Sequence, residues 1–236
     1  MNEQLFSWRL ILLTSLIFIT IFFLYELTPL DIWIQDHCYN FEVNEWLVDR
    51  HASKLKLIFY TGPKKIIIVF GVINLLLFIL SFKKYSLKQF KWSFLYIALC
   101  LAIIPTVIAS MKYVTNTYCP WDNERYGGSV PYVKVIEPYP DDFMQSSKGK
   151  CFPAAHPSGG FALFCLFFVS LKRIYKLSGL LFPFLLGWTM GIYQMLKGAH
   201  YLSHNLATFF IALILCSVIY KVMFSLRKVQ NANTFS

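Results

Sequence analysis

The chain has 236 residues, of which 57% are hydrophobic, 18% aromatic and only 14% charged. A water-soluble domain carries about 25% charged residues, so this composition excludes an ordinary soluble fold. The formal charge of +10 would suit a nucleic-acid partner, but where the charges fall along the chain argues against one.

Windows of about 19 apolar residues, each long enough to cross a bilayer core of about 30 Å as a helix, recur along the sequence. In chain order they predict spans near 8–29, 66–82, 93–113, 157–171, 179–199 and 203–223. The first lacks a small-residue cleavage site and is longer than a signal peptide's apolar stretch, so it reads as a retained helix. The expected architecture is all-α: one polytopic membrane domain over 1–236 with six transmembrane helices. No internal repeat or low-complexity segment stands out.

With the N-terminus placed in the cytoplasm, the inner segments hold Arg9, Lys83, Lys84, Lys88, Lys91, Lys172, Arg173, Lys176, Lys221, Arg227 and Lys228, against Glu3 as their one acid. Acids from Glu26 to Asp142 all fall on the other side, where bases roughly balance them. Lys/Arg enrichment in short inner loops sets topology, which predicts both termini in the cytoplasm and no nucleic-acid partner. Two outer segments exceed simple turns, at roughly 30–65 and 114–156. The first carries Trp33, Trp46 and Tyr60 among charges and is expected to lie along the interface. The second is long enough to point to function.

Of six cysteines, Cys100, Cys165 and Cys216 fall in spans and read as small apolar fillers. Cys38, Cys119 and Cys151 lie outside, where an oxidising compartment permits one bridge. No C-x-x-C pair suggests zinc. Among five histidines, His156 ends the long outer loop and is followed by Pro157, a residue favoured at a helix start, which places it beside an anion-attracting helix end. His200 lies at the outer end of the fifth span, and His204 follows four residues later, on the same face if the stretch is helical. Lys112 closes the third span at the same depth. Polar groups clustered at the border of a membrane interior tend to mark sites; single interfacial histidines bonded to headgroups or loop carbonyls are the plainer alternative.

These residues carry a resemblance. "KYVTNTYCP" offers Lys112 and Pro120, "FPAAH" offers Pro153 and His156, and "QMLKGAHYLSH" offers His200. In order and spacing they resemble the three motifs K-x-x-x-x-x-x-R-P, P-S-G-H and S-R-x-x-x-x-x-H-x-x-x-D of the type 2 phosphatidic acid phosphatase family, the membrane lipid-phosphate phosphatases related to vanadium haloperoxidases. The resemblance covers about residues 55–220 and implies a six-helix core with its site at the outer face. It also places "PSGG" at 157–160, four residues past the true motif, in the first turn of span four, where small residues let helices pack closely.

By that resemblance His200 attacks phosphorus, His156 protonates the leaving oxygen and Lys112 clamps the phosphate. Three positions depart: Cys119 stands for the first-motif Arg, Gln194 for the third-motif Arg, and His204 for the Asp that orients the nucleophile. Lost Arg–phosphate contacts weaken a site that works by electrostatics and positioning. Lys197, three residues before His200, and Arg125, just after the first motif, are the first substitutes, with Lys148 and Lys150 behind them. His204, if neutral, can accept a proton from His200. Because motifs one and two meet at the phosphate in this family, Cys119 and Cys151 become a disulfide candidate closing a loop of about 33 residues; two unpaired thiols remain the alternative.

The expected function is therefore a hydrolase acting on a lipid phosphate, a monoester or pyrophosphate, at the outer leaflet of a bacterial inner membrane through a phosphohistidine. No cofactor or metal is implied, the partners are the lipid substrate and membrane lipids, and the oligomeric state stays open. Two other readings stand beside it: a non-catalytic lipid-phosphate binding or transport protein on the same fold, and a metal centre built from His156, His200 and His204, since three imidazoles suit catalytic zinc.

Overall fold

A computed structural model describes residues 8–170 and 172–233, with side-chain surroundings through 225. Helices dominate. α1 (Trp8–Leu27) leads to a short α2 (Leu30–Asp36), followed by a two-residue hairpin in which β1 (Tyr39–Asn40) pairs antiparallel with β2 (Glu45–Trp46). α3 (Ser53–Lys56) runs through a π turn, Leu57–Thr61, into α4 (Gly62–Leu80). α5 (Tyr85–Lys88) precedes α6 (Lys91–Thr115); the long loop to α7 (Ser158–Ala162) carries only two 3-10 turns. α8 (Cys165–Val169), α9 (Arg173–Leu196) and α10 (Leu202–Asn233) complete the chain.

Among the described residues, five helical segments are long and apolar enough to cross a membrane: Trp8–Leu27, Ser53–Leu80, Lys91–Asp122 (α6 and the 3-10 turn after it), Arg173–Leu196 and Leu202–Ser225. The expected fourth span, 157–171, is shorter, an apolar stretch over Ser158–Val169. Its middle turn is closed by i→i−3 bonds, Phe164 N–H to the Phe161 carbonyl at 3.0 Å and Leu166 N–H to that of Leu163 at 2.9 Å. Such 3-10 closure tightens a helix and separates α7 from α8. The second span also differs from its expected start at 66. Gly62, Pro63 and two lysines read as a break, yet the helix begins at Ser53. The π turn absorbs the proline, which has no N–H to give. It also brings the Leu57 carbonyl oxygen to 2.7 Å from where a Gly62 Cβ would stand, so glycine is required there.

The bundle is knitted by α4 against α6, α1 against α10, and α9 against both α7 and α8. α6, α7, α8 and α10 enclose an apolar core around Tyr96, Ile104, Phe161, Phe164, Cys165 and Cys216. Phe161 lies flat on α9 where Gly187 leaves room: a Cβ there would meet its ring at 2.2 Å. Outward-facing Leu, Ile, Val and Phe on α1, α4 and α9 suit a lipid solvent, where burial of apolar side chains is not required for stability.

Candidate functional site

The site sits at the end of the bundle where α6 stops and α10 begins. His200 lies in the short connection between α9 and α10, which turns at Gly198. That residue adopts φ +75°, and a Cβ on it would overlap the Trp46 ring at 2.3 Å. Glycine alone meets both demands. The connection is held from several sides. Ala199 N–H donates to the Gln194 carbonyl at 2.8 Å, Trp121 N–H to that of Gly198 at 2.9 Å, and Val48 N–H to that of Leu196 at 3.1 Å.

α2 anchors both helix ends flanking His200. Gln35, fully buried, donates from Nε2 to the Met195 carbonyl at 2.9 Å. Asp31, one turn earlier, accepts from Ser203 N–H at 2.9 Å and from the Ser203 hydroxyl, so a carboxylate from outside the helix caps the start of α10. Burial is the main cause that pushes Asp31 up to about 6, against the pull of the Ser203 bonds. His156 is brought in by the strand of chain before α7. Ala154 N–H donates to the His204 carbonyl at 3.1 Å, and its own carbonyl accepts from Thr208 Oγ1 at 2.8 Å.

The two histidines meet directly: His156 Nδ1 and His200 Nε2 are 2.7 Å apart. His200 is buried, with 1% of its surface exposed. Burial first, then His156, Lys112, His204 and Lys197, drive its basicity well below that of a free imidazole. His156 is lowered to about 3, by burial first and then by Lys112 and Lys197. Both rings are therefore neutral near pH 7. Lys112, in the last turn of α6, acts electrostatically on all three histidines. Lys197 is buried with its ammonium 5.0 Å above the Tyr193 ring, and burial lowers it too. Gln194, in the third-motif Arg position, is fully buried, and neither its amide nitrogen nor its oxygen has a partner among the described residues.

Cys119 and Cys151 are joined by a disulfide, with Cα atoms 5.2 Å apart. Cys151 Sγ lies 3.3 Å from His200 Nδ1 and 3.0 Å from the Ala199 carbonyl oxygen.

Other candidates are placed elsewhere. Arg125 is exposed and makes a two-point ion pair with Asp36, at 2.8 and 2.7 Å, so its charge is already paired away from the histidines. Lys148 and Lys150 are also exposed, the latter with its ammonium 4.9 Å from the Tyr113 ring. Gly149 between them is tied to Asn116 Oδ1 at 2.9 Å, which buries it and turns both neighbours outward. His204 is buried near His200, ring centroids 5.8 Å apart, but no hydrogen bond joins them. α10 begins at Leu202, so His200 is not on its first turn and the i, i+4 relation fails. His204 instead packs edge-on to Phe152, and its Nδ1 has no partner among the described residues. Nor do the three histidines gather as metal ligands. Among the described residues, Cys119, Cys151 and His200 are the potential ligands that converge, their atoms within 4.8 Å of one another, and the two sulfurs are already bonded to each other.

Sequence reasoning did not find Tyr60 in this role. Its ring stands edge-on to His156 at 4.8 Å, aimed there by the π turn; such turns recur at functional sites, but no residue pattern announced this one. Asp31 and Gln35 were missed too, their only signal being polar groups four apart in an otherwise apolar, aromatic stretch.

From His156 an apolar cleft of about 570 Å³ runs down between α4 and α6. Tyr60 and Lys64 stand at its head and Gly71, Leu75, Leu95 and Ala102 deeper in. The lining from residue 60 to 75 corresponds to roughly 22 Å of helix.

A family model described as the PAP2 superfamily matches residues 91–228, from the first turn of α6 into α10, and takes in Lys112, His156 and His200. Comparison with curated proteins gave no match, and comparison with solved structures gave none. With more than half of the chain matched, and with apolar helices of membrane-crossing length on either side of the site, this multi-pass membrane protein belongs to the PAP2 superfamily, whose members are generally phosphate-ester hydrolases.

Proposed function

We propose that the protein is a lipid-phosphate phosphatase that hydrolyses a phosphomonoester or pyrophosphate of a membrane lipid through a phosphohistidine on His200. The observation that carries this reading is the double position of His156, which lines the head of the apolar cleft and touches His200 Nε2. A hydrocarbon chain in the cleft would hold its phosphate end at the histidines, with Lys112, Lys197 and Lys64 supplying positive charge. The unpartnered Gln194 amide offers a further donor, and a buried polar group without a partner is uncommon enough to ask for one.

In this reading the His200 Nε2 lone pair forms a bond to phosphorus as the bond from phosphorus to the lipid oxygen breaks, and His156 gives that oxygen a proton. Water then attacks the phosphohistidine, returns a proton to His156 and releases inorganic phosphate. In the closed pair His156 is neutral. The phosphate must part the two rings, and its negative charge must raise His156 enough to bind the proton it donates. The excess of Lys and Arg in the short loops supports a reading with both termini in the cytoplasm and the site at the outer leaflet, in a bacterial inner membrane.

Phosphate release by purified protein in detergent is the test, across phosphatidic acid, phosphatidylglycerol phosphate, polyprenyl pyrophosphate and lipid A, with His200→Ala as control. Release that disappears in the control supports the enzyme. The lost clamp residues and the closed histidine pair favour a second reading, a protein that binds or carries lipid phosphate without cleaving it. Saturable binding of these lipids with no release by either form would establish that reading instead.

A further inference from the structure

We propose that the Cys119–Cys151 disulfide is a positioning group for His200, holding its ring proton on Nδ1 and leaving Nε2 as the nucleophilic nitrogen. The proposal rests on the reading of His200 as nucleophile. The task is the one a carboxylate performs in the motif this chain resembles, and the residue at that position, His204, does not bond to His200.

The geometry is direct. Cys151 is fully buried, and its Sγ faces His200 Nδ1 at 3.3 Å. A sulfur in a disulfide has no hydrogen, so in this contact only the imidazole can donate. Sulfur is a weak acceptor, but among the described hydrogen bonds Nδ1 has no competing partner. With the proton on Nδ1, Nε2 holds the lone pair and accepts from His156 Nδ1 at 2.7 Å. The sulfur is itself fixed. Cys119 bonds it from the first motif, the Ala199 carbonyl touches it at 3.0 Å, and Cys151 N–H donates to the Thr117 carbonyl at 2.8 Å. Cys119 of the first motif, the chain leading into the second and His200 thereby meet at one sulfur atom.

The choice of a neutral partner fits the rest of the site. The family motifs surround the phosphate with a Lys and two Arg and set one carboxylate behind the nucleophile. Here Lys112 remains, with Lys197 and Lys64 nearby, both guanidiniums are gone, and the carboxylate is gone with them. A carboxylate left in place would have cancelled part of the remaining positive charge in a buried setting where such pairs interact strongly.

Reduction would reverse the preference. A dithiol reductant breaks the S–S bond, supplies two electrons and two protons, and is itself oxidised to a disulfide. Cys151 then bears an S–H that can donate to Nδ1, and the imidazole proton is free to move to Nε2, the nitrogen that must attack.

The test uses the full-length protein in detergent micelles with ¹⁵N-labelled histidine, its His200 signals identified by their loss in His200→Gln. Oxidised protein should show the Nδ1–H tautomer, and dithiothreitol should shift His200 toward Nε2–H. With the substrate found above, reduction should lower kcat at least about 10-fold, and by up to about 10⁴-fold if the tautomer shift is complete, as when a catalytic imidazole loses the partner that sets its tautomer, and leave KM within about twofold. Cys119→Ser with Cys151→Asp, which restores an acceptor, should recover more kcat than Cys119→Ser with Cys151→Ala. An Nε2–H tautomer in oxidised protein, or a tautomer unmoved by reduction, overturns the proposal. So does a fall in thermal stability with kcat per folded molecule unchanged, since that marks a brace only. The tautomer reading needs no substrate and stands even if variant folding fails. If reduction moves the tautomer but no lipid phosphate is cleaved, the catalytic reading falls and the positioning of the proton stands.

Discussion

Two regions of this bundle use polar side chains in opposite ways. In the apolar core between α6, α7, α8 and α10, Tyr96 is fully buried and its hydroxyl donates to the Cys216 carbonyl at 2.9 Å. Polar groups there are few, and among the described residues Trp188 Nε1 at its edge is the buried orphan. At the site end, Gln194, Tyr193, Asn205 and His204 all bury polar atoms without partners, beside two neutral imidazoles and two lysines. An unsatisfied buried polar group costs about 1–3 kcal/mol, so a region that collects several is maintained against stability. The core holds few polar groups, and the site end collects several that have no partner among the described residues.

The comparison breaks most visibly at the lysines. If the site end is an anion receptor, Lys112→Ala and Lys197→Ala should each lower kcat/KM for lipid phosphate by about 10²-fold, as removal of a single charge-stabilising donor does elsewhere. Phosphate-release kinetics would measure it. Each change should also leave thermal stability the same or higher, because a buried ammonium is removed from a cationic surrounding. A loss of stability in proportion to activity would show that the lysines belong to the packing instead.

The core answers to volume. Gly187→Ala would set a Cβ 2.2 Å from the Phe161 ring, and Phe161 is fully buried with no space to retreat. Overpacking of this kind costs about 1–3 kcal/mol. A lower unfolding midpoint in detergent, with unchanged kcat in the folded fraction, is the expected result.

Gly71 sharpens the boundary between the two. Its Cβ position is 3.5 Å from Leu101 Cδ1, an ordinary contact, and it lines the cleft. Alanine would fit. Gly71→Phe would fill the cleft well below His156, reducing kcat/KM for long-chain lipid phosphates by roughly 10- to 100-fold, the range for a pocket altered in shape. Hydrolysis of a water-soluble phosphate monoester should be unaffected. Equal loss on both would show that the cleft serves the fold and not the substrate.

Much of the core could be read from the sequence because a bilayer demands long apolar runs, and those are visible residue by residue. Five of six expected spans correspond to helices of crossing length. The fourth is shortened by a 3-10 turn among Phe161–Leu166, where every residue is apolar and the pattern gives no sign of a break. At the site, the order of Lys112, His156 and His200 was legible through the motif spacing. Which basic residues accompany them was not, since that depends on chain direction over a loop of some forty residues. Lys197 turns inward because Gly198 reverses the chain beside it; Lys148 and Lys150 turn outward because Gly149 is pinned to Asn116. His204 illustrates the same limit. Its spacing from His200 assumed one helix, and the turn at 198–201 places the two on different elements. Asp31 and Tyr60 come from segments distant in sequence, joined to the site only by tertiary packing.

Arg125 marks the outer limit of the site and should give the smallest effect. The guanidinium holds Asp36 by two hydrogen bonds, and this is the main reason the carboxyl stays below its ordinary range, with burial opposing and Tyr126 assisting. A carboxylate with a lowered folded value adds stability above its unfolded pKa, and that contribution fades as pH falls through the folded one. The pair is open to solvent, with 48% of the arginine side chain and 25% of the aspartate exposed, so screening keeps its worth within about 0–1 kcal/mol. Arg125→Ala should therefore lower the unfolding midpoint slightly at pH 7, less at pH 3, and hardly at all in high salt. Its kcat/KM should match the unaltered protein, because the charge it removes is already neutralised by Asp36 and does not reach the histidines. A loss approaching that of Lys112→Ala would return Arg125 to the phosphate clamp and require the loop to close over the site when substrate binds.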